Sequence, residues 1–272
     1  PDPTRGSIYT LDALRKRQID FAIVQSDWHR EAFEGTGIYA RSGRFEDLRS
    51  VLSLYEEPIT ILARPGTGIN QPTDLVGKRI DIGHPASGRR ATIERFFGAL
   101  ALTSEKFAKV VELSSSGALD ELCAGALDAT ILVVGHPNAT IGRILATCAA
   151  DLIPVAGAEL TSVLEGQPDY SRAVIRKSDY PELSADVPTF AVMATLVTRA
   201  DIEADIVQSL VRHVLDGRAG LAQRAPVLND LAPGRMWRQG LTAPLHAGAK
   251  AAFAGASVVG TPPSKVLENE RR

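Results

Sequence analysis

Cysteine is scarce in this chain, with two among 272 residues, and Met and Trp occur twice each. That scarcity excludes a small disulfide-dense scaffold, and Cys123 and Cys148 match no metal-ligand spacing. The two lie on different predicted helices, so buried free thiols are the first expectation. A bridge needs an oxidising compartment and Cα atoms within reach, which sequence alone does not fix. Strong charge of either sign is missing too. Thirty Lys and Arg against 32 Asp and Glu leave a net charge of -2, and the basic residues are scattered, so nucleic acid is not an expected partner. No window approaches the roughly 20 apolar residues of a membrane helix, and the opening Pro1-Asp2-Pro3-Thr4-Arg5 resembles no signal peptide. The natural N-terminus is expected upstream. No internal repeat or low-complexity tract is visible.

What is present is an ordinary globular balance, 44% hydrophobic and 23% charged, enough for one large domain or two lobes. Short apolar strands alternate with amphipathic helices, which predicts parallel sheets covered by helices. The periodicity predicts a helix over Ser7 to Arg17, then strands at Phe21 to Val24, Leu48 to Leu54 and Ile59 to Ala63. After the Gly/Pro loop Arg64 to Gly68 the pattern restarts. Strands are expected at Arg79 to Gly83, Lys109 to Leu113, Ala129 to Val134 and Leu152 to Val155. The helices between them are about Arg89 to Ala101, Ser116 to Ala124, Ala139 to Thr147 and Ala158 to Glu165. Tyr170 to Pro188 reads as a long return connection, followed by a strand from Thr189 to Thr198 and a helix from Ile202 to Asp216. Thr261 to Arg272 is polar enough to be loosely ordered.

The stretch Lys78 to Thr92 carries the sharpest chemical signal. A buried strand runs into a short polar turn and a helix that opens on Ser87-Gly88. The first N–H groups of a helix lack intrahelical partners and sit at the positive end of its dipole, so such a turn can seat a carboxylate or phosphate. Arg89 and Arg90 add charge there. The bland alternative is a simple helix cap at Ser87.

One run of strands and helices enclosed within another, with two crossings, is how bilobed solute receptors are built, with the ligand at strand C-terminal ends between the lobes. The expected division is residues 1–63 plus 190–272 against 64–189. Hinges are expected near Ala63 to Arg64 and Thr189 to Phe190. Several blocks, in order, carry a family resemblance. They are Gly6-Ser7, Asp20-Phe21-Ala22-Ile23-Val24-Gln25-Ser26-Asp27, Leu54-Tyr55-Glu56-Glu57-Pro58, Lys78-Arg79-Ile80 running to Ser87-Gly88, and Gly135-His136-Pro137. The series continues with Asp186-Val187-Pro188-Thr189, Leu196-Val197-Thr198-Arg199-Ala200-Asp201 and Pro244-Leu245-His246-Ala247-Gly248-Ala249. From about Thr4 to Lys250 the chain resembles the TAXI family of TRAP-transporter solute-binding proteins.

The resemblance implies an α/β fold of two Rossmann-like lobes joined by a two-crossing hinge, of periplasmic binding protein type II kind. It implies a periplasmic or extracytoplasmic receptor, free or lipid-tethered, that clamps a small organic anion such as glutamate, glutamine or 2-oxoglutarate. TRAP permease membrane subunits are the implied partner; no cofactor, metal or catalysis is implied. The chain departs from the family pattern in lacking the strand and Gly-rich turn that usually precede Gly-Ser. It also carries Arg89 where Thr is frequent, and Tyr9 and Thr10 in place of an acidic-Asn pair.

The candidate ligand-binding residues are Ser7, Gln25, Tyr55, Ser87, Gly88, Arg89, Arg90 and His136. Each has a structural alternative. Ser7 can be an N-cap, Tyr55 hinge packing, and His136 a satisfied buried histidine. Arg90 can pair with Glu94 at i,i+4, and between Arg89 and Arg90 the sequence does not choose. Asp27 suits a helix cap better than contact with an anion, and Trp28 and Trp237 are assigned to packing. Two other classes compete: a ligand-sensing domain of a regulatory protein, which would need a helix-turn-helix that this chain does not display, and an enzyme, which would need a nucleophile and base that are not grouped here.

Overall fold

The computed structural model describes residues 6–255 other than 86, 166 and 168. The polar stretch Thr261 to Arg272 and the opening residues lie outside them. Along the chain, α1 (Ser7–Arg15), β1 (Phe21–Gln25) and α2 (Ser26–Glu34) lead to the long strand β2 (Leu48–Ala63). Then follow β3 (Arg79–Asp81), α3 (Gly88–Ala99), β4 (Lys109–Val111), α4 (Ser115–Cys123), β5 (Ala129–Val133), α5 (Ala139–Cys148), β6 (Asp151–Ile153) and α6 (Gly157–Leu164). The chain continues through β7 (Ser171–Ile175), β8 (Val187–Arg199), α7 (Ala204–Asp216), α8 (Arg218–Arg224), α9 (Pro233–Met236) and α10 (Ala247–Gly255). Among the described residues no helix is long and apolar enough to cross a membrane.

The chain forms two compact units, residues 1–55 with 192–272 (unit 1) and 56–191 (unit 2). The expected division at Ala63/Arg64 comes too late, because Ile59–Ala63 pair residue for residue with Val133–Ala129 of β5 and so belong to unit 2. The first crossing falls inside β2 instead of beside the Gly/Pro loop, and the second, expected at Thr189 to Phe190, falls between residues 191 and 192 inside β8. The predicted break between Leu54 and Ile59 is absent as well. Glu56-Glu57-Pro58 interrupts the apolar run but not the strand, whose residues 54–57 are only half-buried.

Unit 1 packs β1 antiparallel to β8, from Phe21↔Thr198 to Gln25↔Ala194. α1 offers Leu11 and Leu14 to the core and stops before the predicted Arg17, which has a positive φ of 59°. Val207, Val211 and Leu215 recur every fourth residue along α7 and share a core with Ala249, Ala252 and Phe253 of α10. Gly248 permits that contact: a Cβ there would lie 2.1 Å from the Ala204 carbonyl oxygen.

In unit 2, β3 pairs in parallel with both β4 and β5, while β2 runs antiparallel to β5 and β6. The sheet is therefore mixed, not parallel throughout as expected, because strands that pass from one unit to the other arrive without a helical crossover. The return connection Tyr170 to Pro188 also differs from expectation, since it contains β7, paired antiparallel with β8 from Ser171↔Ala191 to Ile175↔Val187. Leu119, Leu122, Leu132, Ile141, Ile144 and Leu145 form the centre of this unit's core.

The cysteines correct another expectation. Cys123 and Cys148, the last residues of α4 and α5, are bridged, with Cα atoms 5.3 Å apart. Cys123 is exposed and Cys148 half-buried, so neither has the apolar burial that a free structural thiol was expected to have. The chain-entropy account gives a loop of this size about 3–4 kcal/mol of stabilisation.

Candidate functional site

Three helices of unit 2 begin at one edge. Because β4, β3 and β5 run parallel and each leads through a short turn into α4, α3 and α5, those helices all start at the carboxyl ends of the strands. That is where α/β folds commonly bind ligands. The three starts carry side-chain caps. Ser87 Oγ accepts the Arg90 N–H (3.2 Å) and donates to the His84 carbonyl (2.7 Å). Ser114 Oγ accepts Gly117 N–H (3.2 Å), and Asn138 Oδ1 accepts those of Thr140 and Ile141 (3.0 and 3.2 Å). Small polar groups and helix N-termini thus gather there, which suits an oxygen-rich or anionic group.

The arginines are deployed otherwise than expected. Arg89 is buried and ion-paired with Asp81. Its Nε donates to the Ile131 carbonyl (2.6 Å) and its Nη2 also to Thr130 Oγ1 (3.2 Å). Burial pulls its pKa down and the Asp81 carboxylate opposes that shift. Its charge is matched inside the unit instead of being presented at the edge. Arg90 pairs with Glu94 (2.7 Å), the i,i+4 alternative, and with Glu112 (2.5 Å).

His136 follows β5 and is joined to Pro137 by a cis peptide bond. Its Nδ1 lies 2.6 Å from the Tyr180 hydroxyl and its Nε2 2.8 Å from Thr60 Oγ1. Thr60 has a single hydroxyl proton, which it donates to the Pro58 carbonyl (3.1 Å), and the Tyr180 oxygen accepts the Asn138 N–H (2.8 Å). The consistent tautomer is neutral, with the proton on Nε2 donated to Thr60 and Nδ1 accepting from Tyr180. Burial accordingly holds the His136 pKa down to about 4. Both ring nitrogens are engaged within the unit.

In unit 1 the candidates Ser7 and Gln25 come together. Ser7, the first residue of α1, donates from Oγ to Gln25 Oε1 (3.4 Å) and accepts the Gln25 backbone N–H (3.1 Å). Both are buried, so the hydroxyl of one helix start fixes the strand-to-helix junction between β1 and α2. Asp27 is not the cap expected of it: it lies inside the first turn of α2, whose start carries no side-chain cap, and its Oδ1 accepts the N–H of the adjacent Trp28 (2.9 Å). Tyr55 is half-buried on β2 at the end of the unit's first segment. A separate cavity of about 350 Å³, bordered by Arg212, Asp216 and Arg218, contains none of the expected residues. Among the described residues no group of three or more His, Cys, Asp or Glu is arranged to hold a metal ion.

Sequence reading missed Asp81, Thr130 and Tyr180. An aspartate in the apolar strand Arg79-Ile80-Asp81-Ile82 was the available signal for the first, since a carboxylate in such a strand demands a cationic or N–H partner. Nothing local marks Tyr180, whose partners are 42 and 44 residues away in sequence.

The sequence matches the NMT1-like family over residues 2–255. The fold is similar to that of the periplasmic aliphatic sulphonate binding protein SsuA from Escherichia coli, with a TM-score of 0.50, 13% identity, and 93% of this chain and 70% of that one covered. The alkanesulfonate-binding protein SsuA from Xanthomonas axonopodis pv. citri, bound to MOPS, aligns at 16% identity over 98% of this chain and 77% of that one, with a TM-score of 0.47. The first likeness gives this chain the mixed α/β fold of the type II periplasmic binding proteins.

Proposed function

The chain belongs to the NMT1-like family, and from that premise we propose that it is an extracytoplasmic solute-binding receptor and not an enzyme. It takes a small organic anion, an acidic amino acid or dicarboxylate-like molecule such as glutamate or 2-oxoglutarate, and delivers it to a membrane permease. The observation that carries this reading is the carboxyl edge of unit 2, where β4, β3 and β5 lead into three capped helix starts. The Cys123–Cys148 bridge supports an oxidising compartment such as the periplasm. The ordered TAXI-like blocks support a TRAP-type permease as the partner.

A second reading is a sulfonate receptor, by analogy with the Escherichia coli neighbour, an aliphatic sulphonate binding protein. A sulfonate would use the same helix starts, because it too presents several acceptor oxygens.

Thermal unfolding of the purified chain against L-glutamate, L-glutamine, 2-oxoglutarate, dicarboxylates and alkanesulfonates tests both. A ligand that binds only the native state adds about 2.7 kcal/mol at a hundredfold excess over Kd, so one chemical class should raise the melting temperature by several degrees. Shifts with carboxylates support the first reading and shifts with sulfonates alone the second. Shifts with sugars or cations alone would overturn both.

A further inference from the structure

Asp81 ends β3 and is completely buried. Its Oδ1 accepts the N–H of Gly83 (3.2 Å), in the turn toward α3, and that of Leu113 (2.8 Å), in the turn toward α4. Its Oδ2 accepts Thr130 Oγ1 of β5 (3.0 Å) and pairs with Arg89. Arg89, in the first turn of α3, reaches β5 through Ile131 and Thr130, and its Nη1 lies 3.5 Å from Ser115 Oγ at the start of α4. Gly83, at a φ of +87°, leaves room for the guanidinium: a Cβ there would lie 3.1 Å from Arg89 Cδ and Nε.

One carboxylate and one guanidinium therefore touch β3, β5, two turns and the starts of two helices. A buried charge left without its partners is costly, so both turns must take up their positions for the Asp81 oxygens to be filled. The pair also removes charge from the edge. Arg89 is balanced by Asp81, and Arg90 faces two carboxylates, Glu94 and Glu112.

We propose that Asp81 and Arg89 are positioning residues that set the starts of α3 and α4, and that this edge selects its ligand by the geometry of hydrogen-bonding oxygens and not by net charge. The selection clause rests on the receptor reading above; the positioning clause is testable without any ligand.

The test uses the full chain, labelled with 15N, as wild type and Asp81→Asn. In the ligand-free protein, amide hydrogen exchange should show Gly83 and Leu113 losing protection by about tenfold or more in Asp81→Asn, while the β2 amides of Ile61 to Ala63 keep theirs. Unchanged protection, or an equal loss throughout unit 2, would overturn the positioning clause. If Asp81→Asn does not fold, Arg89→Lys carries the same comparison, since it keeps the charge and forfeits the Nε bond to Ile131; a loss of about threefold at the same amides is expected. Calorimetry with L-glutamate, 2-oxoglutarate and methanesulfonate then tests selection. Wild-type affinity for the best probe should change by less than about threefold between about 20 mM and 300 mM salt. Asp81→Asn, or Arg89→Lys in its place, should weaken binding by about tenfold. A steep salt dependence, or unaltered affinity in the variant, overturns the selection clause. If wild type binds none of the probes, the receptor reading and the selection clause fail together, while the exchange experiment still decides the positioning clause.

Discussion

Units 1 and 2 both have to fix the point where a strand hands over to a helix, and they do it with different chemistry. In unit 1 a neutral hydroxyl, Ser7 Oγ, takes the N–H of Gln25 and meets its side-chain oxygen. In unit 2 a buried carboxylate takes two N–H groups from separate turns and is itself answered by a guanidinium. A hydroxyl link is worth about 1 kcal/mol and little else depends on it. A buried ion pair contributes no more on balance, but losing one member strands the other, so unit 2 is the more brittle of the two. An arginine beside a helix start, then, is no sign of a ligand's charge until its internal partner has been sought.

Both tryptophans, Trp28 and Trp237, lie in unit 1, so tryptophan fluorescence reads that unit while far-UV circular dichroism reads both. The largest expected effect is that of Arg89→Ala, which leaves Asp81 buried without its cation and should lower the stability of unit 2 by about 3–5 kcal/mol. In urea unfolding the dichroism midpoint should fall well below the fluorescence midpoint. Coincident midpoints for the variant would erase the contrast between the units.

Next in size is the disulfide. Replacing Cys123 and Cys148 together by Ser should cost about 3–4 kcal/mol, again seen in dichroism before fluorescence. An equal displacement of both signals would mean that the bridge supports the whole chain and not unit 2 alone.

The smallest effect, per step, comes from acid, and it sharpens the comparison because each unit holds one strongly shifted histidine. Burial lowers His29 of unit 1 to about 3 and His136 of unit 2 to about 4, both from 6.5. A depressed histidine lets the unfolded chain take the proton first. Stability is therefore intact above about pH 6.5 and declines as pH falls, by up to about 1.4 kcal/mol per unit for each group. The decline attributable to His136 ends near pH 4, below which both states are protonated. His136→Gln should flatten the slope read by dichroism and leave the fluorescence slope in place, since that is set by the buried histidines of unit 1, His29 and His246, both held below their ordinary value by burial. Stability that rises on acidification would contradict the neutral tautomer derived for His136.

Much of the fold was legible because its elements are short and punctuated. The restart after Arg64 to Gly68 and the βα alternation from Arg79 to Leu164 follow from apolar runs bounded by polar turns, each within a few residues of its expected limits. β7 was not legible, since Ser171-Arg172-Ala173-Val174-Ile175 buries only Ala173 and Ile175. The continuity of β2 was hidden by its two glutamates and proline. Within the site, Ser87 is readable as a helix opener and Arg90 as a partner of Glu94, because both relations are local. The fate of Arg89 is not, since its acceptors lie on two neighbouring strands that only the folded sheet brings together.

The bridge between Cys123 and Cys148 closes a covalent ring that contains all of β5. A protease that cuts the exposed backbone just after α4, near Ala124 or Ala126, opens the chain without releasing either piece. The cut ends stay tethered, and β5 remains hydrogen-bonded to β2 and β3 on its two sides. In a compartment where hydrolases are abundant and replacement is slow, a nicked molecule of this kind keeps its sheet.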